Sequence, residues 1–207
     1  MKIYLVRHAE SVGNKAGLHQ TAEMTLSDSG LKQAKVVANR LKNRKIDLIY
    51  SSTHERARQT AGIIARTLKI PIEYWDRLIE IRNPSQIHNR PINNPEVNKI
   101  KELIKKNFAK GDWKYSDEET FFELNERVGK VLKHLLLKHK NQNLICVSHA
   151  SIIKAIICKM VFGEKLTPEI FSAIRYGFWS SNTGISVCEY DKKRGWGVMS
   201  WNDASHL

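Results

Sequence analysis

The feature that most constrains the fold is an alternation of short apolar segments with longer amphipathic ones over the first half of the chain. The segments 3–6 (IYLV), 45–52 (KIDLIYSS) and 71–75 (PIEYW) have the β-branched and aromatic residues of buried strands. Segments 25–43 and 53–70, which lie between them, carry apolar residues at helical spacing. The sequence therefore predicts an α/β fold, with a mostly parallel central sheet and helices on both faces.

The alternation stops at about residues 83–117, where three prolines interrupt a polar stretch. We expect this segment to be a small inserted helical cap within a single domain that spans residues 1–207. The other predicted elements are a helix at 95–109, a helix at about 117–139, a strand at 143–149, a helix at 151–161 and a final strand, turn and strand. Ser27 is expected to cap the helix in segment 25–43, and Ser52 or Thr53 the helix in segment 53–70.

The composition narrows the possible partners. The formal net charge is +13, but the lysines are scattered and no aromatic residues are interleaved with them, so a nucleic-acid partner is not favoured. No apolar run is long enough to cross a membrane, and we expect a cytoplasmic protein. The three cysteines lie in apolar segments without a CxxC pair, as is typical of buried, reduced thiols. The oligomeric state is left open, a homodimer included.

Polar side chains follow three of the predicted strands at the point where each strand ends. Arg7 and His8 follow the first strand, Arg56 lies in the first turn of the helix after the second strand, and His149 follows the strand at 143–149. The carboxyl ends of neighbouring parallel strands meet at one crevice, where ligands bind. Arginine offers phosphate a fixed fork of donors and histidine titrates near neutrality, so this set suits a phosphate.

A structural role for the first pair stays open at this point, since Arg7 could simply end its strand and His8 could bond to a backbone carbonyl. The convergence of three strand ends is harder to attribute to packing. The other histidines show no paired metal-ligand spacing, so no metal site is predicted. His54 is expected to be exposed, whereas His19 has two open interpretations, a surface residue or a substrate contact.

Five motifs follow one another along the chain: VRHAESVGN (6–14), TLSDSGLKQA (25–34), YSSTHERARQTA (50–61), LIEI (78–81) and VSHASIIKAI (147–156). With these motifs the chain resembles the histidine phosphatase superfamily, the phosphoglycerate mutase-like group, from residue 3 to about 190. The order of the motifs is much more specific than any one of them.

The resemblance implies a role for each matching residue. His8 is implied as the nucleophile, which forms a covalent phosphohistidine, and Glu80 as the proton donor to the leaving group. The implied phosphate- and substrate-binding residues are Arg7, Asn14, Arg56 and His149. Neither a cofactor nor a metal is implied, because arginine, histidine and a helix dipole supply the phosphate contacts.

The sequence departs from the family pattern at three places. Ala9 and Ala150 stand where the family usually has glycine after each histidine, and no glycine follows soon after Glu80. Glu10 is therefore a second candidate for the acid, although its position beside His8 is more typical of a residue that shapes the loop.

These residues predict a cofactor-independent phosphomonoester hydrolase (EC 3.1.3 type) that acts on a small phosphorylated metabolite. One alternative is a phosphoglycerate mutase-type phosphoryl transfer, but the longer insertion and ERHYG-type segment of family mutases are absent between Glu80 and His149. An alternative of another class is a non-catalytic protein that binds anions or RNA on the same fold. In the predicted cap, Trp113 and Tyr115 are expected to line a specificity pocket.

Overall fold

A six-stranded sheet forms the centre of the structure, a computed structural model that describes residues 1–207. Its strands are β1 (Lys2–Arg7), β2 (Leu48–Ser51), β3 (Ile72–Tyr74), β4 (Asn143–Ser148), β5 (Ile185–Asp191) and β6 (Gly195–Asp203). They lie in the order β3-β2-β4-β1-β5-β6. The first four are parallel to one another, whereas β5 is antiparallel to β1 and β6 to β5. The predicted, mostly parallel sheet is confirmed.

Helices cover both faces of this sheet, as predicted. They are α1 (Val12–Lys15), α2 (Asp28–Leu41), α3 (Glu55–Leu68), α4 (Pro95–Asn107), α5 (Phe121–Lys138), α6 (Ala150–Phe162) and α7 (Pro168–Gly177). Successive strand residues point to opposite faces, so Leu144 belongs to the buried cluster under α5, α6 and α7, while Ile145 belongs to the cluster under α2 and α3. Both clusters are apolar, and together they fix the strand ends relative to each other. None of the helices combines the length and apolarity needed to span a membrane.

The helix caps agree with the sequence at α2 and differ at α3 and α5. Ser27 caps α2, its hydroxyl accepting a hydrogen bond from the Gly30 N–H at 3.0 Å. The predicted Ser52 or Thr53 cap of α3 is wrong, because His54 occupies the N-cap position and makes no side-chain capping bond.

The α5 helix begins at Phe121, four residues later than predicted, after a capping box formed by Thr120 and Glu123. Glu118 and Glu119 before it are buried instead of forming its first turn. Glu118 accepts hydrogen bonds from the backbone N–H groups of Tyr115 and Ser116. The α7 helix was not predicted, although Thr167 at its N-cap and Pro168 in its first turn are helix-start signals.

The segment 83–117 lies at the carboxyl end of the sheet. It begins with a 3₁₀ turn at Ser85–Ile87, which a loop connects to α4. A second 3₁₀ turn, at Phe108–Lys110, directly follows α4. Residues 89–92 pair with the loop after β1, where the His19 N–H donates to the Arg90 carbonyl at 2.9 Å and the Asn89 N–H to the His19 carbonyl at 2.8 Å. This pairing holds the segment beside the ends of β1 and β2.

Candidate active site

A cavity of about 390 Å³ opens at the carboxyl ends of the parallel strands. Arg7 of β1 pairs with Ser148 of β4, and Ser51 of β2 pairs with Val147, so the three predicted strand ends do lie side by side. The lining residues come from the strand ends, the loop after β1 and the segment 79–92, together with one acidic residue from the loop before α5: Arg7, His8, Leu18, His19, Gln20, Thr21, Ala22, His54, Arg56, Ile79, Glu80, Ile81, Arg82, Asn83, His88, Ile92 and Asp117.

His8 lies at the floor of this cavity, 3% exposed. Its Nδ1 is 2.7 Å from the carbonyl oxygen of Ala9, and a carbonyl can only accept, so Nδ1 carries the proton. Its Nε2 accepts a hydrogen bond from the Arg56 Nε–H at 3.2 Å. Burial, with the charges of Arg56 and Arg7, holds the pKa of His8 well below its ordinary value. The residue is therefore a neutral imidazole with its lone pair on Nε2.

Two guanidinium groups face this imidazole, that of the buried Arg56 and that of the half-buried Arg7. Arg56 donates through Nη1 to the Thr21 carbonyl at 2.7 Å, in addition to its bond to His8, and burial lowers its pKa to about 10. Arg7 donates through Nη1 to the carbonyl of Ser180, and its buried Nε–H has no partner. Neither arginine takes part in any of the ion pairs of the structure. Two cations with little exposure and no carboxylate partner, placed side by side, form a strong anion site.

His149 is fully buried beside His8, with 5.0 Å between the two ring centroids. Its Nε2 is 2.8 Å from the hydroxyl oxygen of Ser52, while its buried Nδ1 has no partner. Burial, followed by the charge of Arg56, holds the pKa of His149 well below its ordinary value. His149 is thus neutral, and it lies outside the set of residues that line the cavity.

Glu80 lines the cavity at the N-terminus of α6. Its carboxylate accepts backbone hydrogen bonds from Ile81 at 2.9 Å, Ser151 at 3.2 Å and Ile152 at 3.1 Å. The positive end of the α6 dipole acts in the same direction as these donors, so the carboxylate is held in one orientation. Glu80 thus lies beside the same cavity as Arg7, His8 and Arg56.

A buried ion pair holds the chain segment that carries Glu80. Arg127 of α5 bonds to the Glu119 carboxylate through Nε at 2.7 Å and Nη2 at 2.6 Å. Its Nη1 donates to the carbonyls of Arg77 and Ile79, both at 2.9 Å. We call this arrangement of Arg127 and Glu119 the α5 clamp. It connects α5 to the backbone immediately before Glu80.

Comparison with known proteins identifies the family. The profile of the histidine phosphatase superfamily (branch 1) matches residues 3–204. The chain belongs to this superfamily. Phosphoserine phosphatase 1 of Hydrogenobacter thermophilus is 29% identical, over 100% of this chain and 94% of its own length. A probable phosphoglycerate mutase, GpmB of Yersinia pestis, is also 29% identical, over 100% of this chain and 95% of its own length.

A histidine phosphatase fold is also found by structural comparison. The crystal structure of Entamoeba histolytica phosphoserine phosphatase in complex with 3-phosphoglyceric acid superposes with a TM-score of 0.81 at 25% sequence identity. The alignment covers 100% of this chain and 98% of that one.

Two further predicted residues lie beside the histidine phosphatase cavity without lining it. The Asn14 side-chain oxygen accepts from the Ser11 N–H at 3.2 Å and from the Asn182 side chain at 3.3 Å, so it holds the loop after β1. Its assignment as a substrate-binding residue stays a prediction. Glu10 accepts a hydrogen bond from the Ser27 hydroxyl at 2.5 Å and shapes the same loop.

The structure bears on three expectations about the cavity wall. Trp113 and Tyr115 do not line the cavity, because the chain between them and α5 turns inward on the buried Glu118. His54 was expected to be exposed, but it is half-buried and lines the cavity. His19 also lines it, and its buried Nε2 has no partner.

No sequence motif identified above indicates the loop between α7 and β5, which supports Arg7 at the end of β1 and His8 after it. The Asn182 side chain donates to the His8 carbonyl at 2.9 Å, and the Arg7 N–H donates to the Gly184 carbonyl at 3.2 Å. A Cβ on Gly184 would come within 2.0 Å of the Asn202 side-chain oxygen, so a larger residue would displace the Asn202 side chain that accepts the Ser181 N–H. The dense SSNTG segment was the available signal, since such residues favour structured turns.

Proposed function

We propose that this protein hydrolyses a small phosphomonoester through a covalent phosphohistidine on His8. One observation carries the proposal: the guanidinium groups of Arg56 and Arg7, which have no carboxylate partners, lie beside a neutral imidazole whose lone pair accepts from Arg56. A phosphoryl group supplies the missing negative charge, and neutral imidazole is a nucleophile that adds no further negative charge beside it.

The first step transfers the phosphoryl group to the protein. The Nε2 lone pair of His8 forms a bond to phosphorus while the ester P–O bond breaks, and the Ala9 carbonyl keeps the proton on Nδ1. Arg7 and Arg56 offset the charge on the phosphoryl oxygens, and His149 is close enough to donate through its unpartnered Nδ1. The departing alkoxide takes a proton from Glu80. In the second step, water attacks phosphorus, the P–N bond breaks, and Glu80 accepts the proton released.

The position of Glu80 suits the proposed role. Three backbone N–H groups hold its carboxyl group in one orientation at the wall of the cavity. A carboxyl group fixed in this way beside the bound phosphoryl group can give a proton to the leaving oxygen in the first step and take one from water in the second.

The far side of the cavity supports a substrate with a carboxylate. Lys101 donates to the Asn83 side-chain oxygen at 2.8 Å, which leaves the amide NH₂ of Asn83 to bond elsewhere. Burial lowers the pKa of Lys101 to about 8, and this ammonium takes part in none of the ion pairs. Asn83 and His19 line the cavity, and Lys101 lies behind Asn83. Together these groups suit the carboxylate of a phosphorylated acid, as in phosphoserine or 3-phosphoglycerate, which structures of the Entamoeba histolytica relative contain.

A mutase reaction is the second candidate, supported by the similarity to a probable phosphoglycerate mutase. It would use the same phosphohistidine but return the phosphoryl group to a second hydroxyl of the substrate. Product analysis separates the two activities, since hydrolysis releases inorganic phosphate and the mutase retains organic phosphate.

We also propose that residues 83–117 act as the cap that selects the substrate.

Labelling with a phosphorylated acid tests the mechanism. The protein is mixed with ³²P-labelled phosphoserine, quenched without acid, and digested at alkaline pH, where the P–N bond survives. Label is expected on the peptide that contains His8, together with released phosphate, and both are expected to be lost in His8→Ala. Label on another residue, or turnover retained by His8→Ala, would refute the mechanism.

Lys101→Met is expected to reduce kcat/KM for phosphoserine more than for an aryl phosphate without a carboxylate.

A further inference from the structure

His54 is a third imidazole at the cavity, and the mechanism above does not use it. Its Nδ1 is 3.2 Å from the Nη2 atom of Arg56, and its ring centroid is 5.0 Å from that of His149. Arginine can only donate, so Nδ1 of His54 is the acceptor and its proton lies on Nε2. His54 therefore contacts the guanidinium that faces the proposed nucleophile.

The position of His54 is costly for the helix that follows it. It is the N-cap residue of α3, a position where serine, threonine, aspartate or asparagine would accept a backbone hydrogen bond. His54 makes no such bond, and its own N–H donates to the Ser52 hydroxyl at 3.2 Å. The imidazole is turned to Arg56 and the cavity instead of to the helix.

Three bonds from Arg56 define the plane of its guanidinium. Nε donates to His8, Nη1 to the carbonyl of Thr21 and Nη2 to His54. Without His54 the guanidinium would keep two of these bonds, one of them to a carbonyl in a loop, and would lose the third. Because two bonds leave the group freer to tilt than three, the contact with His54 helps to fix the direction of Nε toward His8.

We propose that His54 is a positioning residue, which holds the guanidinium of Arg56 against His8 and can do so only while its own imidazole is neutral. The inference rests on the proposed function, in which Arg56 moves from His8 Nε2 to a phosphoryl oxygen as the substrate binds. A guanidinium held in one plane needs only a small displacement to make that contact, so fewer degrees of freedom are lost in the transition state.

The charges around His54 determine when it is neutral. Burial and the charge of Arg56 lower its pKa to about 4. The groups that act on it come from every neighbouring element: Arg56 of α3, Glu80 before α6, Glu23 of the loop before α2, Arg127 of α5, His8 after β1 and His149 before α6. A bound phosphoryl dianion adds negative charge and favours protonation of His54. Protonation removes the acceptor at Nδ1 and places two cations together, so it releases Arg56.

Two substitutions of His54 separate positioning from simple packing. His54→Leu keeps much of the volume but has no acceptor, and His54→Asn keeps an acceptor that does not titrate. His54→Leu is expected to lower kcat by roughly 10- to 100-fold with little change in KM, because a small misplacement of a group that contacts the transition state has effects of this order. His54→Asn is expected to restore most of that loss. In both variants the acid limb of the kcat profile is expected to move to lower pH than in the wild type.

The control is His134→Leu, which removes another half-buried imidazole, one that packs on Trp75 outside the cavity. It is expected to leave kcat and its pH profile unchanged. Equal losses in His54→Leu and His54→Asn, with an unmoved acid limb, would overturn the inference, as would a His54→Leu variant with wild-type kcat.

A readout that does not need turnover separates this inference from the proposed function. The Arg56 Nε–H signal is assigned by ¹⁵N NMR from its loss in Arg56→Lys, and its exchange with water is measured. Slow exchange is expected in the wild type and His54→Asn, and fast exchange in His54→Leu. If the three proteins show this pattern of exchange rates but the wild type releases no phosphate, the proposed function fails and the positioning role stands. If exchange is the same in all three proteins, the positioning role is refuted.

Discussion

At the scale of single residues, the Nε2 atom of His8 has two partners in succession. In the structure it accepts the Nε–H of Arg56, and in the proposed reaction it must give up that bond before it can attack phosphorus. A bound phosphoryl oxygen, which is negatively charged, is a stronger acceptor for Arg56 than a neutral imidazole. Substrate binding therefore frees the nucleophile and occupies the guanidinium in one exchange of partners.

The role of Glu80 can be tested at the same scale by varying the leaving group. Glu80→Gln keeps the size of the side chain and one acceptor oxygen, but it cannot donate a carboxyl proton. Its kcat is expected to fall by ~10²- to 10⁴-fold for alkyl phosphates such as phosphoserine, and far less for p-nitrophenyl phosphate, whose leaving group needs no proton. Glu10→Gln is the matched control, because Glu10 bonds to Ser27 outside the cavity. Equal losses on both substrates would exclude Glu80 as the proton donor.

At the scale of elements, the strand ends could be predicted and the cavity walls could not. Periodicity located β1, β2 and β4, and parallel pairing then brought Arg7, Arg56 and His149 together, because the register of a parallel sheet leaves little choice. The walls depend on long-range contacts that no local pattern encodes. Asn182 reaches His8 from 174 residues away, and Trp113 is kept from the cavity by a turn around Glu118.

The α5 clamp leads to a prediction about an element far from the nucleophile. Arg127→Met leaves the Glu119 carboxylate buried without its partner, so the free energy of unfolding is expected to fall by ~3–5 kcal/mol in urea denaturation. Lys130→Met, which breaks the exposed pair of Lys130 with Glu126, is expected to cost less than ~1 kcal/mol.

The double variant Arg127→Met/Glu119→Leu gives the sharper test of the clamp. Replacing both charges with apolar groups removes the desolvation cost, so we expect stability to recover. Activity is not expected to recover, because nothing then donates to the Arg77 and Ile79 carbonyls that hold the chain before Glu80. A double variant with wild-type kcat would show that the clamp serves stability alone.

At the scale of the whole molecule, the positive charge and the buried neutral histidines act on different properties. The net charge of +13 attracts anionic substrates over a distance, an effect that salt screens. The buried histidines of the same site make the stability of the fold depend on pH. Burial keeps His8, His54 and His149 unprotonated in the folded state, at pH values where they bind protons in the unfolded chain.

The last prediction is therefore an acid destabilisation that substrate analogues oppose. Each of these three pKa values is lower in the folded state than the ordinary value of about 6.5, so the unfolded chain binds more protons, and stability falls as pH falls below about 6.5. Each such histidine contributes a slope of up to about 1.4 kcal/mol per pH unit, and for His54 the slope ends near its folded pKa of about 4. Urea denaturation between pH 5 and pH 7 gives the dependence of the free energy of unfolding on pH. Its slope is expected to be smaller in His54→Leu than in the wild type, by up to the contribution of one proton. Identical slopes in the wild type and His54→Leu would show that His54 is protonated equally in the folded and unfolded states. Inorganic phosphate, which binds only the folded site, is expected to raise the free energy of unfolding at every pH in that range.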